Sequence, residues 1–270
     1  MASILLALGA TQEDVEALPR FANSLEVDPT LPFRRSRNGR FEIDFAARRI
    51  SRSAVKQFVL SEDEDFVRHD SGAVREFGEI ELAYQENSAF QALLLFKALM
   101  IDEVDVQHRP GLDYSRPQSV CTAFLLRTIT SAEELGEPAL EGVHSDGVDH
   151  TMTTLIGAEN MTPDSAKTYV IDPSETAGKR WNEIEPEYQL GVYQHVDYLD
   201  TLLFADHERK HGVSPVFAAD GSNIATRDMS ILFTRRPALP EHVSFSYDGL
   251  EHHVERPMHI DLPQSGWAQR

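Results

Sequence analysis

From residue 103 onward this sequence breaks into short strand-like runs. Segments rich in Val, Thr, Leu, Phe and Tyr alternate with turn residues at 104–108, 120–130, 150–157, 167–171, 199–204, 212–217 and 226–234. Many short strands in series, with no clear helical segment between them, restrict this part to a sandwich or barrel. The expected class is mostly β with flanking helices (α+β). Pro173 opens a long loop to about Gln194, of the kind that forms a lid or binding segment.

The first hundred residues read differently. Val15, Leu18, Phe21 and Leu25 recur near helical spacing, although Pro19 interrupts the pattern and Pro29 and Pro32 end it. Asn87 or Ser88 caps a helix to about Met100, with Phe90, Leu93, Leu94, Phe96 and Leu99 as its buried stripe. Between these lies a basic stretch: Arg34, Arg35, Arg37, Arg40, Arg48, Arg49, Arg52 and Lys56. With Glu62, Asp63, Glu64 and Asp65 following, the simplest expectation is an ion-paired or solvated face. The sharper one is that one or two arginines line a pocket for an anionic small molecule. One domain over 1–270 is expected: a mainly helical and irregular part to 101, a β core over 102–236 and a C-terminal extension over 237–270.

Composition excludes several classes. The chain carries 44 acids against 25 bases, a formal net charge of −19, so a phosphate backbone is an improbable partner. No run approaches the ~18 apolar residues of a membrane span. The apolar segment 3–10 lacks a basic flank and reads as a helix start. One cysteine, Cys121, excludes an internal disulfide and a cysteine-based zinc cluster. It reads as a core residue, and the simplest compartment is the cytoplasm.

Candidate chemistry concentrates in residues 141–149, Glu-Gly-Val-His-Ser-Asp-Gly-Val-Asp. On an extended chain His144 and Asp146 project to one side, and Gly142 and Gly147 allow tight turns around them. His-x-Asp alone is cheap: 11 histidines and 20 aspartates supply about one by chance. This chain has three, the others at His195-Val-Asp197 and His259-Ile-Asp261. No histidine follows His259. His195 sits beside the long loop, where exposure is the ordinary outcome. His144 and Asp146 lie between strand-like runs, and His211 follows far enough on to return across a barrel. Two imidazoles and one carboxylate on one face of iron(II) leave positions for a cosubstrate and oxygen. Arg227 then enters an apolar strand, where a buried guanidinium needs an anion. The proposed set is His144, Asp146 and His211 on iron(II), with 2-oxoglutarate chelating the metal and Arg227 forking its distal carboxylate. Arg127, in a strand-like run, is a candidate for a substrate carboxylate; an outward-facing strand arginine is the equal alternative.

The order of blocks resembles the 2-oxoglutarate/iron dioxygenases that hydroxylate free amino acids, the group that includes bacterial isoleucine 4-hydroxylase. The matching blocks are 141–147, 199–203, His211-Gly212-Val213-Ser214-Pro215-Val216 and Arg227-Asp228-Met229-Ser230-Ile231-Leu232. Weaker similarity runs through Arg34-Arg35-Ser36-Arg37 and Val74-Arg75-Glu76-Phe77. The resemblance covers about 30–236. It implies a double-stranded β-helix, or jelly roll, backed by helices. It also implies hydroxylation of a free L-amino acid, including a cyclic one such as L-pipecolic acid, coupled to decarboxylation of 2-oxoglutarate. One departure stands out: Asn160 is followed by Met161-Thr162-Pro163, where relatives tend to carry Gly-Gly. The rivals are a cupin-like or zinc-dependent metalloenzyme and a non-catalytic jelly-roll binding protein.

Overall fold

The computed structural model describes residues 1–54, 57–59, 70–220 and 224–263. Four α-helices are described: α1 (Ala2–Ala7), α2 (Gln12–Ala17), α3 (Leu82–Glu86) and α4 (Ser88–Ile101). Strands β1 (Glu26–Val27), β2 (Arg34–Asp44), β3 (Arg49–Ser53), β4 (Gln57–Phe58) and β5 (Arg75–Glu76) precede α3. After α4 come β6 (Gln118–Thr130), β7 (His150–Glu159), β8 (Thr168–Ile171), β9 (Gln189–Tyr193) and β10 (Thr201–Ala205). The last strands are β11 (Lys210–Val213), β12 (Ala225–Arg235) and β13 (His259–Asp261). None of the described helices is long and apolar enough to cross a membrane.

The strands form a mostly β, antiparallel jelly-roll core. One sheet runs β10-β7-β12-β6-β2-β3-β13, with β1 on β2, and faces a smaller sheet β11-β8-β9. Strand alternation divides the large sheet's side chains between two faces. On one, Cys121, Ala123, Leu125, Met152, Ile156 and Leu232 pack against Phe90, Leu93, Leu94 and Ala98 of α4. The Asn87 side chain caps α4 by accepting from the N–H groups of Ala89 and Phe90, and the helix backs the sheet as expected. Its burial extends beyond one stripe and includes Lys97, whose Nζ donates to the carbonyls of His150 (2.9 Å) and Leu232. The other face carries Phe124, Leu126, Arg227, Met229, Ile231 and Phe233 toward a cavity.

Several boundaries differ from those the pattern suggests. The sheet begins well before residue 102, because the basic stretch forms β2 and β3 beside β6. Its described ion pairs include Arg34–Asp28, Arg37–Glu26, Arg48–Asp102 and Arg52–Glu79. Lys56 and the acids at 62–65 lie outside the described residues. Residues 104–108 form no strand. The 173–194 loop is interrupted by β9, which pairs with β8. The C-terminal segment adds β13 to the edge of the large sheet.

Candidate metal centre

Two glycines shape the turn that carries the first ligands. Gly142 has φ +80° and Gly147 φ +70°, and a Cβ on Gly142 would stand 2.4 Å from the Lys179 carbonyl. The turn sets His144 beside β11. His144 N–H donates to the His211 carbonyl (2.9 Å) and His211 N–H to the His144 carbonyl (2.8 Å). This backbone bridge places the two rings 4.3 Å apart. His144 Nδ1 lies 2.9 Å from the Gly142 carbonyl, an oxygen that only accepts, so Nδ1 carries a proton and Nε2 is the nitrogen left to a metal, which would displace any proton held there. Nε2 of His144 is 3.4 Å from Asp146 Oδ1, and Nε2 of His211 is 3.6 Å from Asp146 Oδ2. One ligand atom from each residue falls within 4.8 Å of the others, and all three residues are buried. Among the described residues this is the one such group.

The electrostatics suit a cation. Burial opposes charging His144, but the Glu141 and Asp146 carboxylates outweigh it and lift the imidazole to about 10. Burial and the adjacent His144 push His211 down to about 4. Burial would raise Asp146, yet the two histidines hold it well below the usual carboxylate range. Thr151 Oγ1 donates to Asp146 Oδ2 at 2.8 Å and fixes the carboxylate's rotation. Two imidazole nitrogens and one carboxylate on one side of a cavity are the donor set of a non-haem iron(II) site with positions left open.

The cavity measures about 130 Å³. Besides the three ligands it is lined by Arg34, Arg75, Arg227, Glu141, Thr153 and an aromatic wall of Phe58, Phe77, Phe124 and Phe233. Of the basic stretch, Arg34 lines this cavity, with Asp28 as its ion-pair partner. Arg227 is buried, its Nε has no hydrogen-bond acceptor among the described residues, and burial pushes the guanidinium down to about 10. An oxyanion entering the cavity would meet it.

Arg127 is corrected. Its register partner Asp228 takes it in a forked pair (2.7 and 2.8 Å) on the face of β6 opposite the cavity. The outward-facing alternative is the one realised. His195 is corrected as well: it is buried, with its ring against Thr153 and Arg227. Asp197 joins no metal-binding group among the described residues, and His259 bonds Ser51 at the sheet edge. Two further residues escape sequence reasoning. Glu141 Oε1 lies 3.2 Å from His144 Nε2, and its place at the head of the motif was the available signal. Asp206 sits under the metal turn, and nothing in its local sequence marks it.

A jelly roll with His-x-Asp and a distant His on its inner wall defines the mononuclear iron(II) oxygenases that use 2-oxoglutarate. The chain belongs to the 2OG-Fe dioxygenase family, whose pattern matches residues 19–233. It is 45% identical over 259 residues to the bifunctional enzyme flvA of Aspergillus flavus. That match takes in 96% of this chain but 32% of flvA, so the chain spans about a third of the relative's length. Among solved structures it is similar to the Fe(II)/α-ketoglutarate-dependent dioxygenase TqaL, at 45% identity and TM-score 0.79, covering 95% of this chain and 85% of that one. The fold also matches IDO from Bacillus thuringiensis, at 13% identity and TM-score 0.64, covering 85% and 87%. The chain is thus a 2OG-Fe dioxygenase by family, its donor set fits iron(II), and the cupin, zinc and non-catalytic readings give way to that family.

Proposed function

We propose that this dioxygenase hydroxylates an unactivated C–H bond of a free L-amino acid, with 2-oxoglutarate converted to succinate and CO2. The observation that carries the proposal is the charge layout of one cavity. Arg227, on β12, faces the same cavity as the triad and suits the distal carboxylate of 2-oxoglutarate. Arg75, ion-paired with Asp70 at 3.1 Å, and Glu141, 3.2 Å from His144, also line the cavity, one cation and one anion that a zwitterion would meet. Phe58, Phe77 and Phe124 pack together as an apolar wall for an aliphatic or cyclic side chain, L-pipecolic acid included. The motif resemblance to amino-acid hydroxylases points the same way.

His144, Asp146 and His211 would hold the iron. Iron with 2-oxoglutarate supplies the oxidant for an otherwise inert C–H bond. The chain's own contribution is orientation: the ion-pairing groups fix the amino-acid backbone, so the aromatic wall selects which carbon faces the metal. An anaerobic titration with iron(II) and 2-oxoglutarate tests the site through its weak visible charge-transfer band. The band is expected in wild type and lost in His144→Ala; a band that survives the substitution overturns the ligand set. Succinate release is then measured with aliphatic, basic and cyclic amino acids. No stimulation by any of them overturns the substrate class.

A further inference from the structure

We infer that His195 is a positioning residue for Arg227: a neutral imidazole that aims the guanidinium at 2-oxoglutarate without cancelling its charge. The inference rests on the assignment of Arg227 to the cosubstrate. His195 Nδ1 lies 3.3 Å from Arg227 Nη2. Its Nε2 lies 3.2 Å from the Thr153 carbonyl and 3.1 Å from Thr153 Oγ1. A carbonyl oxygen can only accept, so Nε2 carries the proton and Nδ1 presents its lone pair to the arginine. The tautomer is thereby set by β7, the strand that also supplies the cavity-lining Thr153. The Tyr193 ring meets the imidazole edge-on at 4.9 Å and limits its rotation.

The choice of a neutral acceptor has a consequence. A buried arginine is ordinarily paired with Asp or Glu, and that pairing would compete with an incoming dicarboxylate. No described carboxylate reaches ion-pair distance of Arg227, and burial is the one influence that shifts it. His195 occupies the place such an acid would take. Burial, then the Arg227 cation, push its pKa down to about 4, so it stays neutral at working pH. One guanidinium N–H is spent on His195, and the remainder of the fork stays open to the cavity. The imidazole does not touch iron or the reacting carbon.

The test is anaerobic binding of 2-oxoglutarate to the iron(II)-loaded protein, with iron affinity and the KM for the amino acid followed in parallel. His195→Phe keeps the ring volume and removes the acceptor. It is expected to weaken 2-oxoglutarate binding about five- to tenfold, the worth of one hydrogen bond. His195→Asn, whose Oδ1 can stand where Nδ1 stood, is expected to recover most of that loss. His195→Asp puts a carboxylate on Arg227 and is expected to bind 2-oxoglutarate worse than His195→Phe. Iron affinity and the amino-acid KM should stay near wild type in all three. Wild-type binding in His195→Phe overturns the inference, as does equal binding by the Asn and Asp variants, the pair that decides if Phe does not fold. Arg227→Met separates the two levels. If it binds 2-oxoglutarate normally, the assignment of Arg227 fails; if it loses binding while the His195 variants do not, only the role of His195 fails.

Discussion

Both carboxylate oxygens of Asp206 lie within hydrogen-bonding distance of the backbone N–H of Asp146, at 3.0 and 2.9 Å. Oδ2 also accepts from Ser145 Oγ at 3.0 Å, and Oδ1 lies 3.8 Å from Nδ1 of His211. One fully buried side chain thus braces the turn bearing two metal ligands and faces the ring of the third. Such outer contacts orient ligands and tune metal affinity. Asp206→Ala is expected to lower iron(II) affinity by about 10- to 100-fold, with the cosubstrate groups untouched. Iron binding by competition with a chelating dye reads this directly. Wild-type affinity in a folded Asp206→Ala protein would sink the bracing role.

Gly142 tests the turn from the backbone side. Its positive φ and the 2.4 Å approach to the Lys179 carbonyl leave no place for a Cβ. Gly142→Ala is expected to cost about 1–3 kcal/mol and to displace His144, whose Nδ1 donates to the Gly142 carbonyl. Urea denaturation gives the stability, and the charge-transfer band reports the ligand geometry. Normal values of both would show that the turn relaxes around the methyl group.

The ligand triad could be read from the sequence because its constraints are local. His144 and Asp146 share one turn between glycines, and His211 stands in a strand that bridges back to it. Strands with strong alternation, such as β6, β7 and β12, were equally visible. What escaped depends on long-range pairing. β2 and β3 read as a basic surface run because Arg40 and Arg52 are buried only through partners far along the chain, Asp248 and Glu79. His195 reads as an exposed loop residue until β7 and β12 are placed around it. Arg127 shows the limit most sharply: alternation gives a strand two faces, and only the neighbours decide which one meets the cavity.

The position of Arg127 makes a prediction of its own. Its guanidinium forks onto Asp228 opposite the cavity, and Gly157, the register partner of Asp228, leaves room for that carboxylate. Arg127→Ala strands a buried acid and is expected to cost about 1–3 kcal/mol. The KM values for amino acid and 2-oxoglutarate should not change. A rise in the amino-acid KM, at unchanged stability, would return Arg127 to the substrate site.

Asp28 and Arg34 tie the cavity rim to pH. Arg34 Nε meets Asp28 Oδ2 at 2.7 Å, and Asp28 also accepts from the Thr30 hydroxyl at 2.7 Å. Burial alone would raise the Asp28 carboxyl, but the Arg34 charge and these hydrogen bonds outweigh it and hold the pKa at about 2, below its ordinary 3.8. A folded-state pKa below the unfolded one means that the ionised pair stabilises the protein above the unfolded value. That contribution, about 2 kcal/mol, is lost as pH falls through the folded value. Asp28→Asn is therefore expected to be least stable relative to wild type near neutrality. The gap should narrow from about pH 4 downward, as wild type loses what the variant never had. Urea midpoints for both proteins between about pH 7 and pH 3 measure it. A gap independent of pH would show that Asp28 titrates alike in the folded and unfolded chain, and would overturn its depressed pKa.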